Sequence, residues 1–437
     1  MKVLSFRAVA LVVVGLVAGA GIAQALNAPR PLHRPRAEQK LAPHSTASHH
    51  AAAKAAPAAH TASKAAPAAH VAAKAGKPVA PALRKRGAAT VRVTARSRRH
   101  HTTNERFTAS SFANGDQTAN DVTAGEDPVV RQAAVDALGD MNGTAVVINP
   151  ANGRILAMVN QKLALSPGAE PCSTIKLTVA LAALSEGLVT AETPVKLDGF
   201  RMNMTQAIAK SNNLYFEELG RELGFERLHR YEKQFGLGEL AGYNIEGEQL
   251  GTYPDEELPA SEGGVGRMCS FGQGVSLTPL QLGAFVAALA NGGTLYYLQH
   301  PTSLDQVASF EPQVKRKLDI ASYVPQMLDG MAGAVEFGTA RRLRYNFQQF
   351  PVFGKTGTCS DKGTRFGWFA SYSESPQGSL VTVFFLEGGR PTFGPRAAEL
   401  TGVFYKNLWE HDYFKPIEAR EKVPAAVTAP GQPSTEQ

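Results

Sequence analysis

Runs of apolar residues divide this 437-residue chain into unequal regions. The first is a single apolar run over residues 8–23, with Lys2 and Arg7 ahead of it. A stretch follows, to residue 107, in which large apolar residues are nearly absent, so it has little to bury against chain entropy. Patterned hydrophobicity begins near Asp127, where structure is expected to start. Residues 144–148 and 155–159 are short β-rich runs, joined by Asn149-Pro150-Ala151-Asn152-Gly153, whose turn chemistry predicts a hairpin. Residues 177–184 are apolar on nearly every side, which predicts a buried central helix with Gly187 as its stop. Helical patterns follow at 205–210, 213–223 and 225–235, then Gly-rich connections over 236–266. A further apolar helix is expected at 279–289, with Thr278 as candidate N-cap, Pro279 in its first turn and Asn291-Gly292-Gly293 at its end. Residues 323–335 read as helix, 352–358, 366–372 and 380–387 as strands, and 396–409 as a last helix. Strands at both ends of the body with helices between them predict an α+β fold, its sheet assembled from distant parts of the chain.

Charge changes the picture of the N-terminal part. Residues 1–107 hold 18 of the 45 Lys and Arg but 2 of the 38 Asp and Glu, a net +16, which leaves −9 on the rest. The chain's +7 is therefore a basic segment ahead of a mildly acidic body. Residues 1–26 read as a secretory signal peptide, with Ala23-Gln24-Ala25 as a candidate cleavage site, or as an uncleaved signal anchor. Either reading exports the body, which is expected in the periplasm or anchored at the inner membrane outside the cytoplasm. Residues 27–107 read as a disordered basic linker rich in Ala, Pro and Lys, with three ten-residue units beginning at Ala51, Thr61 and Val71. Its charge suits an anionic cell-envelope polymer or lipid, or a merely solvated spacer; export argues against a nucleic-acid partner. Residues 416–437 read as a disordered tail. In an oxidising compartment, Cys172, Cys269 and Cys359 permit one disulfide and leave an odd thiol.

Candidate chemistry centres on Pro171-Cys172-Ser173-Thr174-Ile175-Lys176, at the head of the central apolar helix. A serine and a lysine three positions apart share one helical face. A lysine can act as base toward a serine hydroxyl once burial or nearby cations destabilise its ammonium. Taken alone, the pattern is common by chance and favours the plainer reading, Ser173 as an N-cap and Lys176 as a surface residue. Ser211-Asn212-Asn213 lies between two helical segments, where Ser211 could pass a proton and Asn213 could hold Lys176; plain capping is the alternative. Lys355-Thr356-Gly357-Thr358 ends an apolar strand. Lys355 offers charge for a carboxylate, Thr356 and Thr358 offer hydroxyls, and Gly357 leaves room for an extended peptide, unless this is an ordinary exposed strand end.

These three motifs in this order form the signature set of β-lactamases and penicillin-binding proteins. The chain resembles the transpeptidase domain of penicillin-binding proteins over about residues 127–412. Supporting features are the segment Phe271-Gly272-Gln273-Gly274-Val275-Ser276-Leu277-Thr278-Pro279-Leu280-Gln281-Leu282, Gly338-Thr339-Ala340, and Gly367-Trp368-Phe369-Ala370. The resemblance implies a β-lactamase/transpeptidase-like fold, an antiparallel five-stranded sheet flanked by helices plus a helical subdomain. It implies a peptidoglycan D,D-transpeptidase that also binds β-lactams. Ser173 would attack the D-Ala-D-Ala amide of a stem peptide, Lys176 would be the base, Ser211 the relay and Asn213 the orienting group. Lys355, Thr356, Gly357 and Thr358 would bind the carboxylate and complete the oxyanion hole. No metal or cofactor is implied. A β-lactamase, a D,D-carboxypeptidase and a non-catalytic β-lactam sensor or cell-wall-binding protein remain alternatives; Glu246, Glu248 and Glu262 are candidates for a deacylating base without an assignment.

This sequence departs from the family's pattern in several places. Cys172 stands where the family usually has glycine, and Cys359 directly follows the third motif. With strand and helix adjacent as in the family, a disulfide or thiol pair would bracket the nucleophile, with Cys269 as the competing partner. The interval from Ser173 to Ser211 is short, which suggests a trimmed loop and an open groove. The low-complexity segment stands where the family carries an N-terminal pedestal, and glycan polymerisation is not expected.

Overall fold

The computed structural model describes residues 108–415, apart from 376 and 391. The signal, linker and tail readings at 1–107 and 416–437 lie outside the described residues. All described residues belong to one compact unit of the chain.

Nine strands are described: β1 (Gly143–Ile148), β2 (Ile155–Val159), β3 (Val195–Leu197), β4 (Phe200–Met202), β5 (Thr294–Tyr297), β6 (Gln313–Lys317), β7 (Val352–Asp361), β8 (Thr364–Ser375) and β9 (Gly378–Gly388). Five of them form the main sheet in the order β2-β1-β9-β8-β7, antiparallel throughout. The first hairpin pairs with the last strand, Val146 opposite Val383, so the sheet closes sequence ends more than two hundred residues apart. The Asn149–Gly153 turn is held as its composition predicts, with Asn149 Oδ1 accepting from the Ala151 N–H and Gly153 at φ +77°.

Both faces of this sheet are buried, which is why its strands are continuous apolar runs rather than alternating ones. Successive side chains point to opposite faces. Ala145, Val147, Leu380, Phe384 and Leu386 join a core with helices Pro128–Leu138 and Gly394–Glu410. Val146, Ile148, Val381, Val383 and Phe385 join a larger core with the apolar helices Lys176–Ser185 and Pro279–Ala290. The latter starts in a full capping box between Thr278 and Gln281, with Pro279 in its first turn. Helices Met204–Lys210, Asn213–Leu223, Phe225–Gln234, Gly264–Phe271 and Pro325–Glu336, the last where residues 323–335 predicted one, also contribute to the larger core.

Three features differ from the sequence-based expectation. Helix Gly264–Phe271 was not expected: it begins inside the Gly-rich connection read over 236–266 and runs five residues beyond it. Its glycines lower helix propensity, but a close helix crossing outweighs that: a Cβ at Gly220 would meet Cys269 Sγ at 2.6 Å. The two-stranded pairs β3–β4 and β5–β6 were not expected; their strands are only three to five residues long and are held by pairing with each other. Residues 108–126 are also packed on the body, upstream of the expected start at Asp127. Asp121 accepts from the Asn160 and Gln161 N–H groups and from Arg131 Nη2 at 2.7 Å. Buried Glu126 accepts from Arg131 Nη1 and the Met158 N–H, and lies 2.9 Å from His300 Nε2. Among the described residues, no helix is long and apolar enough to cross a membrane.

Candidate active site

Ser173 lies in a single 3-10 turn, Cys172–Ile175, that runs directly into the helix beginning at Lys176. Thr174 fixes this turn: its N–H and hydroxyl both donate to the Pro171 carbonyl, at 3.1 and 2.7 Å. The expected one-turn relation between serine and lysine is present, and Lys176 Nζ lies 2.7 Å from Ser173 Oγ. The same Nζ donates to Asn213 Oδ1 at 2.6 Å and lies 3.4 Å from both the carbonyl and the hydroxyl of Ser211.

Ser211 is placed by an unusual backbone. It follows helix Met204–Lys210 at φ +55°, the left-handed conformation that ends many helices and that a non-glycine residue adopts at a cost. Asn212 caps the next helix by accepting from the Tyr215 N–H, so the capping role falls on Asn212 and leaves Ser211 and Asn213 for the cleft. Strand β7 supplies the opposite wall. Lys355 Nζ donates to Ser211 Oγ at 2.8 Å and to the Thr356 carbonyl at 3.0 Å. The result is a line of polar atoms: Ser173 Oγ, Lys176 Nζ, Ser211 Oγ, Lys355 Nζ.

Both lysines are fully buried. Burial lowers the Lys176 pKa to about 7, against a smaller opposing influence from Glu217. The aromatic rings of Phe216 and Phe271, 5.8 and 5.9 Å from Nζ, form part of its apolar surroundings. Burial also pushes Lys355 well down, and Lys176 adds to the effect. Two ammonium groups sharing Ser211 in an apolar site disfavour each other, so the pair holds one proton more readily than two. A neutral Lys176 fits its contacts: it can donate to Asn213 and Ser211 while its lone pair accepts the Ser173 hydroxyl proton.

The third motif is packed against the nucleophile turn. A Cβ on Gly357 would lie 2.7 Å from the Pro171 carbonyl oxygen, so only glycine allows this approach. Thr358 pairs with Gly367 and Cys359 with Phe366 across β7 and β8. Cys172 and Cys359 form a disulfide with Cα atoms 5.5 Å apart, the pairing that the sequence suggested; Cys269 is a buried free thiol. All eight proposed site residues thus lie where the nucleophile turn, the Ser211-Asn212-Asn213 segment and β7 meet.

Three partners carried no assigned role in the sequence. Thr339 Oγ1 lies 2.6 Å from Thr356 Oγ1, the Gly394 N–H donates to Thr358 Oγ1 at 2.9 Å, and Trp368 Nε1 donates to the Glu170 carbonyl at 3.0 Å. Gly338-Thr339-Ala340 and Trp368 stand out in the sequence as family features, but nothing there pairs them with these atoms. Of the glutamates considered as deacylating bases, Glu248 is occupied by the Ala241 and Gly242 N–H groups. Among the described residues, no hydrogen bond joins Glu246 or Glu262 to the site residues, and neither is given a catalytic role.

The family model described as the penicillin binding protein transpeptidase domain matches residues 143–402, well over half of the chain. The chain belongs to this family. Among its relatives, stage V sporulation protein D of Bacillus subtilis is 31% identical over 257 residues, covering 49% of this chain and 39% of that protein. The peptidoglycan D,D-transpeptidase MrdA of Acinetobacter baumannii is 25% identical over 361 residues, covering 64% and 52%. The chain thus spans about two-fifths to one-half of these relatives' lengths. Among solved structures, Pseudomonas aeruginosa PBP2 aligns with a TM-score of 0.55 at 22% identity, over 65% of this chain and 77% of that one. A peptidoglycan glycosyltransferase from Burkholderia ambifaria aligns at 0.56 and 21%, over 66% and 96%. At these identities the structural likeness bears on the fold, and the penicillin-binding transpeptidase fold is the one expected from the three motifs.

Proposed function

We propose that this protein is a serine D,D-transpeptidase of peptidoglycan synthesis that forms an acyl-enzyme on Ser173. The observation that carries this reading is the 2.7 Å approach of a buried lysine amine, with its pKa lowered to about 7, to the Ser173 hydroxyl. Such an amine is substantially neutral near pH 7 and can take the serine proton as the oxygen attacks.

Ser173 Oγ bonds to the carbonyl carbon of the penultimate D-alanine while its proton passes to Lys176. The oxyanion is held by the Ser173 and Thr358 N–H groups. The C–N bond to the terminal D-alanine then breaks, and the leaving nitrogen takes a proton delivered through Ser211. Asn213 keeps Lys176 on this line, and Lys355, Thr356 and Thr358 hold the terminal carboxylate. Gly357 lets the peptide lie along β7. An amine from a second stem peptide attacks the acyl carbon and gives up a proton through Ser211 to Lys176; the bond from the acyl carbon to Ser173 Oγ breaks, Oγ takes that proton from Lys176, and a cross-link is formed. A β-lactam, which presents a carboxylate beside a strained amide, would acylate the same serine. Since cross-linking of stem peptides takes place outside the cytoplasm, this reading requires export, in keeping with the reading of residues 1–26 as a signal peptide or signal anchor.

The test is labelling of the full chain with a fluorescent penicillin, beside Ser173→Ala. A stable label on the parent that the variant lacks supports the acyl-enzyme. Rapid loss of the label would favour the β-lactamase reading instead. A folded protein that takes no label would overturn the catalytic reading. With label established, a stem pentapeptide offered with and without an acceptor amine separates cross-linking from carboxypeptidase action.

A further inference from the structure

The Cys172–Cys359 disulfide has a place in the cleft that a purely stabilising cross-link would not need. Cys172 is bonded through the chain to Ser173, and Cys359 to Thr358. These are the two residues whose N–H groups hold the oxyanion in the proposed reaction, on which this inference rests. The cross-link therefore ties the two halves of that hole together, although 187 positions separate them in the chain.

The surrounding contacts lead to the same point. Cys172 has φ +52°, in the left-handed region that a cysteine adopts only when its surroundings hold it there. It is fully buried, whereas Cys359 is partly exposed at the far end of the substrate-binding stretch of β7. The nucleophile turn is held to the sheet by a second bond two residues upstream of Cys172, from Trp368 to the Glu170 carbonyl. A Cβ at Gly272 would meet the Pro171 ring at 2.5 Å, so the opposite side of the turn is closed as well. Turn and strand are separate elements that approach closely at Gly357 and Pro171. The disulfide is the covalent bond across that contact.

We propose that Cys172 and Cys359 are positioning residues for acylation: their disulfide sets the spacing of the Ser173 and Thr358 N–H groups, so that the oxidised protein is the competent form. Electrostatic stabilisation of an oxyanion depends steeply on donor placement, and losing one donor typically costs about 100- to 1000-fold in rate. A donor that is displaced rather than lost should cost less, about 10- to 100-fold. The loss should fall on the chemical step. Initial binding of penicillin relies on Lys355 and the threonines and should change little.

The experiment compares the oxidised chain with the chain treated with a water-soluble phosphine. That reagent supplies two electrons, giving two thiols, and with water becomes the phosphine oxide. Mass spectrometry after alkylation counts the thiols, and circular dichroism confirms folding. Penicillin acylation is then resolved into the binding constant and the acylation rate constant. The expected result is a fall of about tenfold or more in the rate constant on reduction, a binding constant within about twofold, and recovery on reoxidation. The double variant Cys172→Gly/Cys359→Ala should start at the reduced rate and ignore the phosphine, since glycine relieves the strain at residue 172 without restoring the tie. Cys269→Ser should respond like the parent. An unchanged rate constant in folded protein with the bond open overturns the proposal, even if the melting temperature falls. So does a parent-like rate constant in the glycine variant. A parent that takes no label in either redox form instead overturns the acyl-enzyme reading beneath it.

Discussion

Replacing Lys176 by methionine should remove acylation and change how stability depends on pH. The lysine is fully buried and its pKa is lowered from the ordinary 10.5 to about 7 in the folded protein. Below about pH 7 it is charged in both states, and the folded state carries the whole desolvation cost. Between about pH 7 and 10.5 the unfolded chain binds this proton and the folded protein does not, so stability rises with pH. At 1.36 kcal/mol per unit, the Lys176 contribution grows by about 3 kcal/mol between pH 6 and 9.5. Lys176→Met lacks this growth. Its stability relative to the parent should therefore be about 3 kcal/mol less favourable at pH 9.5 than at pH 6. The absolute value at either pH also includes the partners left at Asn213 and Ser211, which is why the difference between two pH values is the informative quantity. Urea unfolding of oxidised parent and variant at both pH values measures it. In parallel, the parent's acylation rate should rise with pH and reach half its maximum near pH 7. A pH difference below about 0.5 kcal/mol, together with a flat rate profile from pH 5 to 9, would mean that Lys176 titrates as an ordinary lysine; the base assignment would then be wrong.

Burial raises the Glu232 pKa to about 8, so the folded protein holds a proton there that the unfolded chain loses above about pH 4.5, and its contribution to stability falls as pH rises through that window. Glu232→Gln should accordingly gain on the parent by a few kcal/mol, at most about 4, between pH 4.5 and 8, read by urea unfolding. Gly357→Ala places a methyl against the Pro171 carbonyl and the Thr174 side chain, and should cost about 1–3 kcal/mol of stability and most of the penicillin labelling. Thr339→Val removes the hydroxyl beside Thr356; the binding constant for penicillin should weaken by about tenfold with a smaller change in the acylation rate constant. The glycine and threonine variants are checked by unfolding and by the resolved acylation kinetics.

Local patterning determined much of this protein. The first hairpin, the central apolar helix and the capping box at Thr278 follow from turn chemistry, apolar period and cap residues, all of which act within a few positions. The Ser173–Lys176 contact is likewise local, because one helical turn suffices to make it. Candidate residues at Ser211, Asn213 and Lys355 were legible through the order of three short motifs, while their meeting was expected from the family resemblance and not from local patterning. Helix Gly264–Phe271 and the pairs β3–β4 and β5–β6 were hidden, since packing and strand pairing rather than propensity form them.

Only the tertiary structure decided which distant groups share the cleft. Closure of the sheet through β1 and β9 brings β7 beside the nucleophile turn, and with it Lys355 against Ser211, Thr339 against Thr356, and Cys359 against Cys172. It also decided that Lys176 is buried, and burial is what turns an ordinary ammonium into a base at neutral pH. A sequence specifies residue types and short-range order. Desolvation and the distance between atoms far apart in the chain exist only once the chain is folded.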